Sequence, residues 1–372
     1  MYGKPITHLH LEPTSDCNAR CPQCPRNWKG TLDTAKWLNV TEWSKDELDS
    51  VLNQPELTSV KHVAVNGNYG DIVKHSDPKG LLQTIINKNH ILQIKVNTNG
   101  GALNKEFWRW LATHRKVHVE FGIDGLEDTH HLYRRNTRYD VVISNAKEYI
   151  NAGGRAIWMM NVFKHNEHQV EECKLLAQEY GFLNFTYRPS HRWVQDYTPV
   201  FDKNKKEEYR IYPASVVEEK GITKFFEPPK APPPNSHIKY DVETANDLPT
   251  PNNKCNIECK VLPINGSVNN SIYLAADGRI WPCCWTASHH DRMLSQNFKD
   301  DFIKEFYQKK GYKQNFNNTK IHTIKKIFQT EMFDFYPKTW PKDNPHPACR
   351  YSCDVKSNFN IQENLTNGSS FK

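Results

Sequence analysis

Ile6-Thr7-His8-Leu9-His10-Leu11-Glu12-Pro13-Thr14-Ser15-Asp16-Cys17-Asn18-Ala19-Arg20-Cys21-Pro22-Gln23-Cys24 sets a three-cysteine loop directly after a short alternating segment. Ile6–Glu12 has the period of a strand and leads straight into the cysteines. Three thiolates so close together can ligate three irons of a cubic cluster and leave the fourth iron open to an exogenous chelator. Electron-transfer clusters use four cysteines. A three-cysteine loop therefore points to a cluster that binds substrate or cofactor directly. On spacing alone, a zinc loop with a distant fourth ligand is the alternative.

From this loop to about residue 190 short strands alternate with amphipathic helices. Ser44-Lys45-Asp46-Glu47 reads as a capping box opening a helix through about Leu52. A strand at Val60–Val65 runs into the polar glycine loop Asn66–Asp71, and a helix follows Pro78 to about Asn87. Ile91–Val96 is the next strand, ending in Asn97-Thr98-Asn99-Gly100, and Asn104 caps a helix over 105–114. Val117–Ile123 is a strand ending at Asp124-Gly125, and a helix over 139–151 stops at Gly153-Gly154. Strand 156–163, helix 167–180 before Gly181, and strand 183–188 complete six strands with five helices between them. That alternation predicts an α/β fold whose parallel sheet curls into a barrel or partial barrel.

Residues 190–254 break the pattern with Pro228-Pro229 and Pro232-Pro233-Pro234 and read as a long connector. From Cys255 the chain is loop-rich. Ile272–Trp285 reads as a strand, an Asp-Gly turn and a return strand, with helices near 299–309 and 320–330. The division expected is a core over 1–190, a connector over 191–254, a small cysteine-ligated domain over 255–360 and a frayed tail over 361–372.

Composition narrows the classes. The 12% aromatic content and ten tryptophans exclude wholesale disorder, although the apolar fraction is only 37%. No apolar run is long enough to span a membrane, and the N-terminus lacks a charged-then-apolar signal region. The formal net charge is +7, and segment 301–330 holds seven lysines against Asp301 and Glu305. Such a patch suits nucleic acid or an acidic peptide less well than it suits a solvated helix face. Ten cysteines without a secretion signal point to metal ligation rather than disulfides. Cys173 stands alone in a helical pattern as a structural thiol.

The motifs together resemble those of radical S-adenosylmethionine enzymes. Cys-x3-Cys-x2-Cys after the first strand is that family's signature. Gly67-Asn68-Tyr69-Gly70-Asp71 is similar to its Gly-Gly-Glu-Pro segment, whose backbone and carboxylate hold the methionine amino group. Asn97-Thr98-Asn99-Gly100 resembles its Thr-Asn-Gly. Phe121-Gly122-Ile123-Asp124-Gly125 with His130 and Arg134, and Phe163-Lys164-His165-Asn166, resemble segments of the subgroup with an extra C-terminal cluster domain. The resemblance covers about residues 6–190. It departs at Gln23, where the family commonly has an aromatic against the adenine, and at Asp71 and Ile72, which replace glutamate and proline.

What the resemblance implies is specific. Cys17, Cys21 and Cys24 would hold a [4Fe-4S] cluster with an open iron that binds S-adenosylmethionine. Gly70, Asp71, Thr98, Asn99 and Arg134 would contact that cofactor. One electron from a flavodoxin- or ferredoxin-type donor would cleave it to methionine and a 5′-deoxyadenosyl radical, which abstracts hydrogen from substrate. The C-terminal cysteines resemble SPASM or twitch auxiliary-cluster domains, in which Gly-x4-Cys, here Gly278 to Cys283, is a hallmark. Cys259, Cys283, Cys349 and Cys353 would hold one auxiliary [4Fe-4S] cluster, with Cys255 and Cys284 as alternates, and a structural zinc is the plainer reading. Polar strand ends make Asp124, Arg188 and, just beyond, His191 candidate catalytic residues, with Arg192 and Trp193 as further substrate contacts.

The expected function is modification of a peptide or protein side chain. Dehydrogenation of an aminoglycoside- or carbohydrate-like small molecule is the alternative within the family. Outside it, a zinc-dependent nucleic-acid-binding protein is the rival. Only sixteen residues precede Cys17, which leaves no room there for a leader-peptide domain and calls for a separate recognition partner or the connector. The expected setting is cytoplasmic, with no membrane partner.

Overall fold

A computed structural model describes residues 5–190, 192–193, 196–215, 222–224, 270–294, 315–339, 346 and 348–349. Cys255, Cys259, Cys353, His191, the helix expected near 299–309 and the tail lie outside the described residues.

Six parallel strands form the centre: β1 (His8–Leu11), β2 (His62–Val65), β3 (Gln93–Thr98), β4 (Val117–Gly122), β5 (Arg155–Val162) and β6 (Asn184–Pro189), in that spatial order. Between them run α1 (Lys45–Leu52), α2 (Pro78–Ile86), α3 (Lys105–Ala112), α4 (Glu127–Tyr133), α5 (Tyr139–Asn151) and α6 (Val170–Glu179). This is the mostly parallel, helix-covered sheet of a partial barrel. The caps are the ones the sequence predicts. Ser44 and Glu47 form a reciprocal capping box on α1, Asn104 accepts from the Phe107 N–H on α3, and Gly153 and Gly181 stand at positive φ after α5 and α6.

Period-two burial in β3 and β5 puts one set of side chains against the helices and the other inside the barrel. Ile94, Val96, Trp158 and Met160 belong to the helix-side core, each at most 1% exposed. Lys95, Asn97 and Asn161 belong to the other set, and Lys95 pairs there with Glu120 at 2.7 Å. The inner surface thus carries polar groups, the Lys95–Glu120 pair among them, beside apolar ones such as Ile157 and Met159.

The sheet extends further than residue 190. β7 (Thr198–Phe201) and β8 (Glu207–Ile211) form a separate antiparallel hairpin inside the expected connector. β9 (Ile222–Lys224) adds to β6 antiparallel. The Asp277-Gly278 hairpin forms as predicted from β10 (Ser271–Leu274) and β11 (Ile280–Trp281), but β10 also pairs parallel with β1, His10 opposite Tyr273. The nine-stranded order is β11-β10-β1-β2-β3-β4-β5-β6-β9. The C-terminal hairpin therefore completes the barrel's first edge. The return strand stops at Trp281 instead of reaching Trp285, because Pro282 has no N–H to continue the ladder. Cys284 instead opens α7 (Cys284–Leu294). The seam is also tied from outside the sheet, where Trp43, fully buried, donates its indole N–H to the Ala275 carbonyl at 2.9 Å.

Candidate functional site

The cysteine loop sits at the C-terminal end of β1, where a parallel barrel gathers its chemistry. Cys24 N–H donates to the Cys21 carbonyl at 3.0 Å, Asn27 holds the same carbonyl through its amide at 2.9 Å, and Arg20 holds the Cys17 carbonyl at 2.9 Å. Arg26, buried, fixes the entry to the loop by pairing with Asp16 at 2.6 Å. Cys21 is 8% exposed and packs with Ala19, Tyr133, Phe163, Val200 and Ile211. The β7–β8 hairpin thus shields Cys21 from water while Cys17 and Cys24 are half-buried, and Arg135 binds the hairpin through the Phe201 carbonyl at 2.7 Å.

The thiol chemistry fits a cationic cluster. Burial pushes Cys17 up, reinforced by Asp71 and by the Cys21 and Cys24 thiols. Cys21 is pushed up to about 12, again chiefly by burial. Two thiols so placed become thiolates together only when a positively charged centre offsets their desolvation and mutual repulsion. Among the described residues no three His, Cys, Asp or Glu side chains converge on the site of a single ion. A four-iron cluster asks for something different, one thiolate per iron.

Next to the cysteines lies a saturated carboxylate. Asp71 Oδ1 accepts from the Thr98 hydroxyl at 2.7 Å and the Val73 N–H at 3.2 Å, and Oδ2 accepts from Asn99 N–H at 2.7 Å and Nδ2 at 2.8 Å. Asn99 in turn exchanges amide contacts with Asn18 and reaches the Cys17 sulfur at 3.7 Å. The structure therefore brings Asp71, Thr98 and Asn99 together beside Cys17, with Asp71 organising the other two. Gly70 is required by close approach, since a Cβ there would meet the Thr14 carbonyl oxygen at 1.7 Å.

A second cluster spans β4 to β6. Asp124, fully buried, receives Arg134 Nε at 2.6 Å and Asn161 N–H at 2.6 Å. Burial works against the Arg134 charge, but Asp124 and the nearby Cys21 thiol hold it firmly protonated. His130 accepts the Asp124 N–H at 3.2 Å, so the His130–Arg134 segment braces the strand end. Arg188 donates to Asn161 at 3.3 Å and has no carboxylate within ion-pair distance among the described residues. Gln23 is tied by Ser190 at 2.5 Å and Thr198 at 3.0 Å, joining the cysteine loop to β6 and the hairpin. Trp193 donates to the Ser190 carbonyl at 2.6 Å, whereas Arg192 is exposed.

Sequence reasoning missed Glu12. It is 1% exposed; Oε1 accepts from Tyr69 N–H at 2.8 Å and Gly70 N–H at 3.3 Å, and Oε2 accepts from the Tyr273 hydroxyl at 2.7 Å. Burial raises its pKa to about 7, with those three hydrogen bonds opposing the shift. An acid closing a buried strand was the available signal. Of the C-terminal cysteines, Cys283 and Cys284 stand at the start of α7, and Cys349 is 8% exposed. Asn68 donates to the Cys284 carbonyl at 2.9 Å, which ties the glycine loop to that turn.

Residues 11–177 match the family described as the Radical SAM superfamily. Over that segment the chain is similar to the radical SAM family. A probable GTP 3′,8-cyclase of Thermococcus kodakarensis is 24% identical over 139 residues, 37% of this chain and 41% of the relative, so the chain spans about two fifths of that protein's length. Solved structures to which the chain is similar include Streptococcus suis SuiB, at 15% identity and TM-score 0.48 over 76% of this chain and 61% of that one. They also include anSMEcpe with bound AdoMet, at 16% identity and TM-score 0.41 over 50% of each chain. BtrN in complex with AdoMet and 2-DOIA matches at 11% identity and TM-score 0.40, covering 93% and 92%.

Proposed function

We propose that this protein is a radical S-adenosylmethionine enzyme that abstracts hydrogen from a peptide or protein side chain and oxidises or otherwise modifies it. The observation that carries the reading is the loop of Cys17, Cys21 and Cys24, with Cys21 buried, beside the Asp71–Thr98–Asn99 cluster, within the segment that matches the Radical SAM superfamily. A four-iron cluster held by Cys17, Cys21 and Cys24 together with S-adenosylmethionine would supply radical hydrogen-abstraction chemistry there. The chain's own residues bind, orient and exclude water. Arg134, whose terminal nitrogens have no protein acceptor among the described residues, would take the cofactor carboxylate. Asn99 keeps the amide network beside Cys17 in register, and the β7–β8 hairpin keeps water from Cys21.

Arg188 and Asn161 would face the substrate at the strand ends, with the candidate Asp124 behind them holding Asn161 and Arg134 in place. Cys283 and Cys349, with Cys259 and Cys353, would hold an auxiliary cluster that takes an electron from the substrate. Support for a peptide substrate is the likeness of Phe121–Arg134 and Phe163–Asn166 to the auxiliary-cluster subgroup. The enzyme would draw electrons from a flavodoxin- or ferredoxin-type donor in the cytoplasm. No helix among the described residues is long and apolar enough to cross a membrane.

Iron, sulfide and zinc analysis of anaerobically purified protein tests this reading. About eight irons per chain, falling to about four in Cys21→Ser, supports two four-iron clusters. Zinc in place of iron leaves a zinc module instead.

A further inference from the structure

Glu12 is a buried carboxylate with no cation in ion-pair distance among the described residues, and its bonds form an ordered pattern. One oxygen takes two successive backbone N–H groups, those of Tyr69 and Gly70. In a trans peptide the carbonyl points opposite to the N–H. The Asn68 and Tyr69 carbonyls are therefore turned away from Glu12, and neither accepts a backbone hydrogen bond among the described residues. The clamp is tight. A Cβ on Gly67 would meet Glu12 Oε1 at 2.7 Å, and one on Gly70 would meet the Thr14 carbonyl. The next residue, Asp71, donates its N–H to the Asp16 carbonyl at 2.8 Å, so the loop lies against the neighbour of Cys17.

The obvious acid for a cofactor ammonium group, Asp71, already accepts four hydrogen bonds from Thr98, Val73 and Asn99. Meanwhile the other Glu12 oxygen is held by Tyr273 of β10. The same loop reaches the C-terminal segment twice more, through Asn68 to Cys284 and through the Tyr69 hydroxyl to Asp291 at 3.0 Å, itself paired with Arg279 at 2.6 Å.

We propose that Glu12 is a positioning residue for S-adenosylmethionine. By capturing the Tyr69 and Gly70 N–H groups it presents the Asn68 and Tyr69 carbonyls to the ligand's ammonium group, and through Tyr273 it makes that presentation depend on the C-terminal hairpin. The inference rests on the radical SAM reading of the cysteine loop.

The test is equilibrium binding, without reductant, of S-adenosylmethionine and its analogue lacking the α-amino group to cluster-loaded protein. Wild type should prefer the amino form by about tenfold or more, as a site that hydrogen-bonds a group rejects a ligand without it. Glu12→Gln should keep that preference, since its amide oxygen accepts both N–H groups and its amide nitrogen donates to Tyr273. Glu12→Ala should lose it, to about twofold or less, with Tyr69 and Gly70 amide hydrogen exchange accelerating about tenfold. Tyr273→Phe, which leaves the N–H capture in place, should lower the preference about threefold.

Equal weakening of both ligands in Glu12→Ala, or a full preference retained there or in folded Tyr273→Phe, overturns the inference. Should Glu12→Ala not fold, the Gln and Phe variants carry the same decision. Wild type that binds neither ligand refutes the radical SAM reading itself, a distinct outcome.

Discussion

Asp71 and Asn99 are joined twice, with one carboxylate oxygen accepting both the backbone N–H and the side-chain amide of Asn99 at 2.7 and 2.8 Å. Burial raises the Asp71 pKa, and the bonds from Asn99, Thr98 and Val73 offset part of that cost. The pair holds the end of β3 against the cysteine loop before any ligand arrives. Asp71→Asn turns one acceptor into a donor facing donors, and should cost about 2–3 kcal/mol of unfolding free energy in cluster-free protein. Denaturant unfolding of that apoprotein checks this. Unchanged stability would mean that Asp71 serves a ligand rather than the fold.

Gly122 and Arg134 give a second prediction. A Cβ on Gly122 would lie 2.4 Å from one Arg134 terminal nitrogen and 2.8 Å from its guanidinium carbon. Arg134 is held by Asp124 and has little room to retreat. Gly122→Ala should therefore weaken S-adenosylmethionine binding about tenfold, matching Asp124→Asn, through loss of a charge-assisted contact. Binding at the wild-type level in both variants would remove Arg134 from the cofactor site.

Glu12 makes stability depend on pH with a definite sign. Its folded pKa of about 7 lies above the ordinary 4.5, so the native state holds a proton that the unfolded chain has released. Its contribution is complete below about pH 4.5 and is lost as pH rises through about 7. The groups facing it are Tyr69 from the loop, Tyr273 from β10 and the more distant Asp277. Wild-type stability relative to Glu12→Gln, which cannot titrate, should fall by about 1.4 kcal/mol per pH unit across that window and level off above it. A flat difference would contradict the buried, cation-free setting.

The C-terminal hairpin supplies a fourth prediction. Ile272, Tyr273 and Leu274 are at most 1% exposed because β10 covers β1 on its open side. A chain ending at residue 254 would leave β1 as an exposed apolar edge and should aggregate on expression. A soluble, monomeric truncation with native circular dichroism would show that the first 254 residues fold alone.

How much of this was legible depends on the range of the signal. The strands and caps of the first 190 residues follow local rules, as Ser44 with Glu47 and Asn104 show. α4 escaped because Glu127-Asp128-Thr129-His130-His131 is polar, and its burial at Thr129 and His130 comes from bonds to Gln169 and Thr137. β7 and β8 escaped because a Pro-rich neighbourhood masked two short strands. The parallel pairing of β10 with β1 joins residues far apart in sequence, which local pattern does not encode. Its trace was the unbroken apolar run Ile272-Tyr273-Leu274-Ala275-Ala276, a sign of a strand covered on both faces. At the site, the cysteine loop was legible from spacing and Asp71, Thr98, Asn99 and Arg134 from the family resemblance, whereas Glu12 and the saturation of Asp71 emerge only from hydrogen-bond partners distant in the chain.

Anaerobic incubation of the iron-loaded protein with dithionite and S-adenosylmethionine, followed by quantitation of 5′-deoxyadenosine, decides whether the cysteine loop holds a cofactor-cleaving cluster. The wild type should release it, and Cys17→Ala, Cys21→Ala and Cys24→Ala should release none. A wild type that binds zinc, shows no charge-transfer absorption and releases no 5′-deoxyadenosine would contradict the radical SAM reading.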